Sequence, residues 1–323
     1  MEKKITKKIN KFFLLRDKDT GTNYKKKIRH LSVILNKNKV DLQFISAVEN
    51  VAWTLNLRGT DADYSPLPNC YLIIDNKGKA NFFCDLRKIN KKLKLKLKNI
   101  KIIDIKYIEN FLNKIKNKKI QIDNLTCSIL FRNILINNNK VLNFKDPVYL
   151  LKAIKNKIEI NNIEKSHIYD GAALTKFLFW IKKYFIKNKI TELSAQAKLL
   201  KFRKKNKNFK TLSFPTISGT GPNGAIIHYK ANKKSNRVLR KGDIYLVDSG
   251  GQYNFGTTDV TRTISLYNNN TRIKNIFTRV LKGHIAVADY KIKKNTTGSK
   301  IDGVARKFLK EIGLDYAHGT GHG

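Results

Sequence analysis

The stretch Lys241–Thr263, KGDIYLVDSGGQYNFGTTDVTRT, constrains the fold of this chain more than any other. Ile244-Tyr245-Leu246-Val247 is apolar, β-branched and aromatic, and predicts a strand ending at Asp248. A glycine pair, Gly250-Gly251, breaks it, and the chain returns through a Thr-rich run that carries Asp259. A hairpin turning near Tyr253-Asn254 would set Asp248 and Asp259 directly opposite on one face, with Cβ atoms about 4.5–5.5 Å apart. Carboxylates that close need a proton or a cation between them. A pair of divalent ions about 3.5–4 Å apart is a common hydrolytic answer. Two aspartates eleven apart are ordinarily a turn cap and a solvated strand residue. Here the glycines, the Thr-rich return and the histidines downstream favour a site.

A chain of 323 residues has room for two domains, each with its own core. A net charge of +42 would usually point to nucleic acid or an anionic membrane. The lysines, however, run from end to end among abundant Asn and Ile, with no interleaved aromatic-basic motif, so they read as solvated faces. Cys70, Cys84 and Cys127 are odd in number and lack metal spacing, which fits reduced thiols and a cytoplasmic location. No apolar run has signal-peptide or transmembrane length.

Along the chain, residues 1–23 form a basic, poorly patterned segment, read as a frayed helix or linker. Ile28, Leu31, Ile34 and Leu35 have helical spacing from Tyr24 on, and a strand is expected at 41–46. Residues 61–69 read as a loop. Strands at 70–75 and 80–84 flank the turn Asp75-Asn76-Lys77-Gly78. Alternating Lys and Leu at 92–98 leave strand and helix open. A strand near 100–105, a helix near 106–117 and strands near 120–122 and 127–131 complete an α/β module over 24–155. Asp146-Pro147 opens a boundary, placed near 155. A second domain, 156–323, begins with a long amphipathic helix from Ile158 to Lys187 and a helix over 194–204 capped by Thr191.

Three of the six histidines lie in glycine-rich surroundings. His228 ends GPNGAIIHY, where an apolar strand is expected to emerge from a Pro/Gly turn. His318 and His322 belong to HGTGHG, and Gly319 and Gly321 between them exclude a helical metal-binding pair. His322 can supply a nitrogen donor beside the aspartates, while His318 and His228 can move protons or touch substrate. His30, His167 and His284 lie in helical patterns and read as structural.

GPNGAIIHY, KGDIYLVDSGGQYNFGTTDVTRT and HGTGHG, in this order, resemble the catalytic domain of the creatinase/aminopeptidase P superfamily. ENVAWTLNLRG, DPVYLLKAIKNKIEI and DGAAL narrow the resemblance to the cytosolic Xaa-Pro aminopeptidases over residues 25–323. It implies an α/β (α+β) protein: a creatinase N-terminal-like α/β domain, then a partial pita-bread metallopeptidase domain. It implies Asp248, Asp259 and His322 as ligands of two divalent ions, manganese foremost and cobalt or zinc as alternatives. His318 then contacts substrate and helps proton transfer, His228 lines the substrate pocket, and Thr261 orients Asp259.

The implied reaction removes the N-terminal residue from peptides with proline second, by attack of a hydroxide activated by two metals. The implied partners are such peptides and, for the full-length protein, a second copy of the chain; no membrane is implied, and nucleic acid is not favoured. Family members carry two further glutamate ligands downstream of HGTGHG, one the general base, whereas Glu311 is the only glutamate after Glu192 here. The expectation is therefore an interior fragment, truncated at its C-terminus and inactive alone. A non-catalytic peptide- or protein-binding relative of the same fold is the alternative, and a nucleic-acid binder, motivated by charge alone, a third.

Overall fold

The computed structural model describes residues 9–267 and 270–322, so the start of the basic N-terminal segment lies outside the described residues. In chain order the first elements are β1 (Phe13–Leu14), α1 (Asp17–Thr20), α2 (Tyr24–Lys37), β2 (Leu42–Ile45), α3 (Val48–Leu55), β3 (Leu57–Arg58), β4 (Cys70–Asp75) and β5 (Ala80–Cys84). Then come α4 (Lys91–Lys96), β6 (Ile100–Asp104), α5 (Ile108–Asn113), β7 (Lys119–Ile122), α6 (Ile129–Ile136), β8 (Lys140–Asn143) and α7 (Val148–Ala153). The remainder is α8 (Lys157–Tyr184), α9 (Glu192–Lys204), β9 (Phe209–Leu212), β10 (Ile217–Thr220), β11 (Ile244–Ser249), β12 (Gly251–Tyr253), β13 (Val260–Ser265), α10 (Thr271–Ala288) and α11 (Gly298–Lys310).

The described residues fall into two compact units. One is drawn from 1–174, 201–215 and 249–259, the other from 175–200, 216–248 and 260–323. The expected boundary near 155 lies between α7 and α8, whereas the units part inside α8, between Leu174 and Thr175.

The first unit is built on a six-stranded sheet in the order β6-β5-β4-β2-β7-β8. The meander β2-β4-β5 is antiparallel, and β6, β7 and β8 join in parallel. Strand alternation sends neighbouring side chains to opposite faces. Ile45, Leu72, Ile74 and Phe82 point to a core shared with Ile28 and Leu31 of α2, Val51 and Leu55 of α3, Leu93 of α4 and Val148 of α7. Phe44, Ile73 and Phe83 point the other way, onto Ile108 and Leu112 of α5 and Phe131 and Leu135 of α6.

Two expectations change in this unit and one left open is resolved. Residues 127–131 do not form a strand. The Ser128 side chain accepts from Phe131 N–H and caps α6, which buries Phe131 and Leu135 one turn apart. The Lys/Leu alternation at 92–98 resolves as α4, with Leu93 buried and Leu95 exposed. The described part of the basic N-terminal segment is not frayed: Phe12 is buried in the first core and β1 pairs with β3.

In the second unit, β10, β11 and β13 form a three-stranded sheet. Tyr245 and Val247 of β11 are buried; the Tyr245 ring lies 6.5 Å from that of Phe177 on α8, and its hydroxyl is 2.8 Å from Ser218 Oγ on β10. Helix α10 packs against α11 at Gly283, where a Cβ would meet the Ala305 carbonyl oxygen at 2.3 Å. No helix among the described residues is long and apolar enough to cross a membrane.

Candidate active site

Alternation along β11 turns Tyr245, Val247 and Ser249 inward and leaves Ile244, Leu246 and Asp248 half-buried on the other face. Asp248 stands opposite Ile217 of β10. Asp259 is exposed and immediately precedes β13, the other neighbour of β11. Thr261 lies on β13 and is exposed.

The chain reverses where the hairpin was expected, with Gln252 bridging Thr257 in antiparallel fashion and β13 returning beside β11, but the outgoing strand is interrupted. Strand β11 runs through Ser249, and Gly251–Tyr253 then leaves as β12 to pair with β9. A tight turn, with Tyr253 N–H donating to Gly256 C=O at 2.8 Å, sends the chain back. The glycines explain the route: a Cβ at Gly250 would sit 1.8 Å from Thr258 O, and Gly251 N–H donates to Thr258 Oγ1 at 2.9 Å.

His228 is exposed with a left-handed backbone, φ 54°. The apolar strand expected before it is absent: Gly221–Ala225 is a 3-10 turn, and Ile226 and Ile227 remain exposed. The loop folds back closely, since a Cβ at Gly219 would meet Asn223 O at 2.8 Å, so no extended partner is reached. His318 stacks on Tyr316, ring centroids 4.7 Å apart, with Nδ1 2.8 Å from Gly319 O. Arg306 of α11 latches this segment by donating to Asp302, Asp315, Tyr316 O and His318 O. His322 is exposed beyond the latch.

Two carboxylates and an imidazole are chemically suited to a hard divalent ion. Among the described residues, however, no group of three or more His, Cys, Asp or Glu side chains is placed to hold a metal.

Two buried polar clusters are ones the sequence did not signal. Glu192, at the start of α9, has no solvent exposure. Its Oε1 accepts from Thr220 N–H at 2.9 Å and from Asn223 Nδ2 at 3.0 Å. Its Oε2 accepts from Tyr229 OH at 2.9 Å and from Arg237 N–H at 3.0 Å. In the other unit, Arg203 and Asp170 are both fully buried; Arg203 Nη2 also donates to Ser249 Oγ, and Tyr253 OH to Asp170 Oδ1. Burial and the adjacent Asp170 hold the Tyr253 phenol above its ordinary pKa.

Residues 161–323 match the model of metallopeptidase family M24. The chain belongs to that family. Residues 4–159 match the creatinase/prolidase N-terminal domain, so the expected mixed α/β architecture of a creatinase-type domain followed by an M24 catalytic domain holds. Xaa-Pro aminopeptidase 1 of Dictyostelium discoideum is 39% identical over 321 residues, 97% of this chain and 51% of that protein. A probable Xaa-Pro aminopeptidase P of Laccaria bicolor is 37% identical, over 97% of this chain and 50% of that protein. The crystal structure of X-prolyl aminopeptidase from Caenorhabditis elegans, described as a cytosolic enzyme with a di-nuclear active site, superposes with a TM-score of 0.89 at 32% identity. That match covers 97% of this chain and 52% of the other. Prolidase from Pyrococcus horikoshii OT3, at 23% identity, TM-score 0.69 and coverage of 89% and 78%, shares the fold. The chain spans about half the length of the curated relatives it matches.

Proposed function

We propose that this chain is part of a metal-dependent aminopeptidase that removes the N-terminal residue from peptides with proline in second position. The observation that carries the reading is the likeness to relatives named Xaa-Pro aminopeptidase along 97% of the chain. Asp248, Asp259 and His322 are the proposed donors to two divalent ions, manganese foremost, and Thr261 is proposed to orient Asp259. When bound, such ions supply Lewis-acid activation of water and stabilise developing negative charge. His228 is proposed to line the pocket that takes the peptide, and His318 to contact the peptide and hold or release a proton at its ring nitrogen. The bond before proline lacks an N–H and is conformationally restricted, so a pocket shaped for the ring sets specificity.

The alternative reading is a non-catalytic peptide- or protein-binding relative of the same fold. The two are separated by incubating the chain with Arg-Pro-Pro and Mn²⁺. Release of free arginine that disappears in Asp259→Asn supports the aminopeptidase. Calorimetric binding of Arg-Pro-Pro without cleavage selects the binding relative.

A further inference from the structure

Beyond the family motifs, one heavily hydrogen-bonded carboxylate of the second unit has no assigned role. Glu192 is fully buried and reaches the loop that carries His228 at its beginning, middle and end: Thr220 N–H, Asn223 Nδ2, Tyr229 OH and Arg237 N–H. The backbone reinforces this: Glu192 N–H donates to Arg237 O, Leu193 N–H to Asn236 Oδ1 and Ser218 Oγ to Glu192 O. Tyr229 is itself buried, and its hydroxyl also meets Ser235 O and Ser235 Oγ at 3.0 Å. Burial, with Glu192 adding to it, raises the Tyr229 phenol above its ordinary pKa, so it stays a protonated donor at neutral pH.

His228 sits between this anchor and solvent. It is exposed, and its φ of 54° is costly for a residue with a Cβ. Such a conformation persists only where the surroundings impose it. The imposition comes from the next residue, because Tyr229 OH is tied to a carboxylate that cannot move. A buried carboxylate costs several kcal/mol unless its lone pairs are filled, and here four donors fill them.

We propose that Glu192 is a positioning residue for His228, acting through Tyr229 to hold the loop, and with it the imidazole of His228, at a fixed place in the proposed peptide pocket. This rests on the proposed function for the meaning of that pocket, but the placement itself is measurable without turnover. The informative variants are Tyr229→Phe, which deletes one hydroxyl and keeps the ring, and Glu192→Gln, which keeps the shape and places an amide against the donors.

The first readout is the ¹³C-resolved ring Cε1–H resonance of His228, assigned with His228→Asn. The expected result is a move toward the disordered-chain position in both variants, with unfolding still cooperative. The second is steady-state cleavage of Arg-Pro-Pro with Mn²⁺. KM is expected to rise about tenfold in Tyr229→Phe with kcat within about twofold, and the effect to vanish in a His228→Ala background. A His228 resonance unmoved in both variants overturns the proposal, as do additive effects of Tyr229→Phe and His228→Ala. If the resonance moves while the parent chain cleaves nothing, the positioning role stands and the aminopeptidase reading is what fails.

Discussion

Arg203 and Asp170 meet as a bidentate ion pair with no solvent exposure on either side chain, Nε to Oδ1 at 2.7 Å and Nη2 to Oδ2 at 2.8 Å. The pair ties α8 to the last turn of α9, and through Ser249 and Tyr253 to the segment that leaves β11. One guanidinium nitrogen, Nη1, is buried without a hydrogen bond. A buried pair of this kind adds little net stability over an apolar pair, but breaking it strands a charge. Asp170→Ala should therefore destabilise the protein by about 3–5 kcal/mol. Asp170→Leu combined with Arg203→Met should recover most of that loss. Urea midpoints measure both, and a single variant within about 0.5 kcal/mol of the parent would show the pair to be solvated.

Lys27 offers a pH-dependent test in the first unit. Its ammonium is buried over the Trp53 ring at 3.8 Å and donates to Trp53 O and Asn56 Oδ1. Burial lowers its pKa from 10.5 to about 7. The folded value lies below the unfolded one, so between about pH 7 and 10.5 the unfolded chain holds the extra proton and stability rises with pH. Below pH 7 both states are charged and the full desolvation cost is felt. The stability of the parent relative to Lys27→Met should climb by about 4–5 kcal/mol from pH 6 to pH 10.5. A flat difference would mean that the ammonium is not desolvated.

The latch at Arg306 makes a kinetic prediction. Its guanidinium holds Asp302, Asp315 and two backbone carbonyls and lies 4.0 Å over the Tyr316 ring, on which His318 stacks. Arg306→Ala should speed amide exchange in the 314–322 segment by about tenfold while leaving the six-stranded sheet of the first unit unchanged. Equal exchange in both proteins would show that the segment is held by other contacts.

What the sequence made legible depended on how local the cause was. The β4–β5 hairpin could be read directly, because apolar runs flank Asp75-Asn76-Lys77-Gly78 and Gly78 takes φ 81°. Residues 127–131 misled because Ile and Phe fit strand or helix alike, and the Ser128 cap decides between them. The loop at 226–228 misled for a non-local reason: Ile226 and Ile227 look like a strand, while Asn223 and Tyr229 are held by Glu192 more than thirty residues earlier. Half of that anchor's donors are backbone N–H groups, which leave no mark on residue identity. Asp248, Asp259, His228, His318 and His322 could be singled out because glycine-rich motifs surround them, but spacing alone does not fix where their side chains end up.

The last prediction concerns metal affinity. Asp248 is half-buried beside β10, Asp259 is exposed ahead of β13, and His322 is exposed beyond the Arg306 latch. The proposed donors come from stretches far apart in the sequence, so binding a divalent ion has to hold several segments in place at once. That ordering opposes affinity. Binding to the 323-residue chain should therefore be of millimolar strength. Stabilisation by a ligand that binds only the folded state follows its concentration relative to Kd, about 0.4 kcal/mol when the two are equal. Mn²⁺ at micromolar levels should thus leave the unfolding temperature unchanged, with a rise appearing only in the millimolar range and lost in Asp259→Asn. Micromolar Mn²⁺ giving a rise of several degrees that survives Asp259→Asn would exclude this aspartate from the donor set.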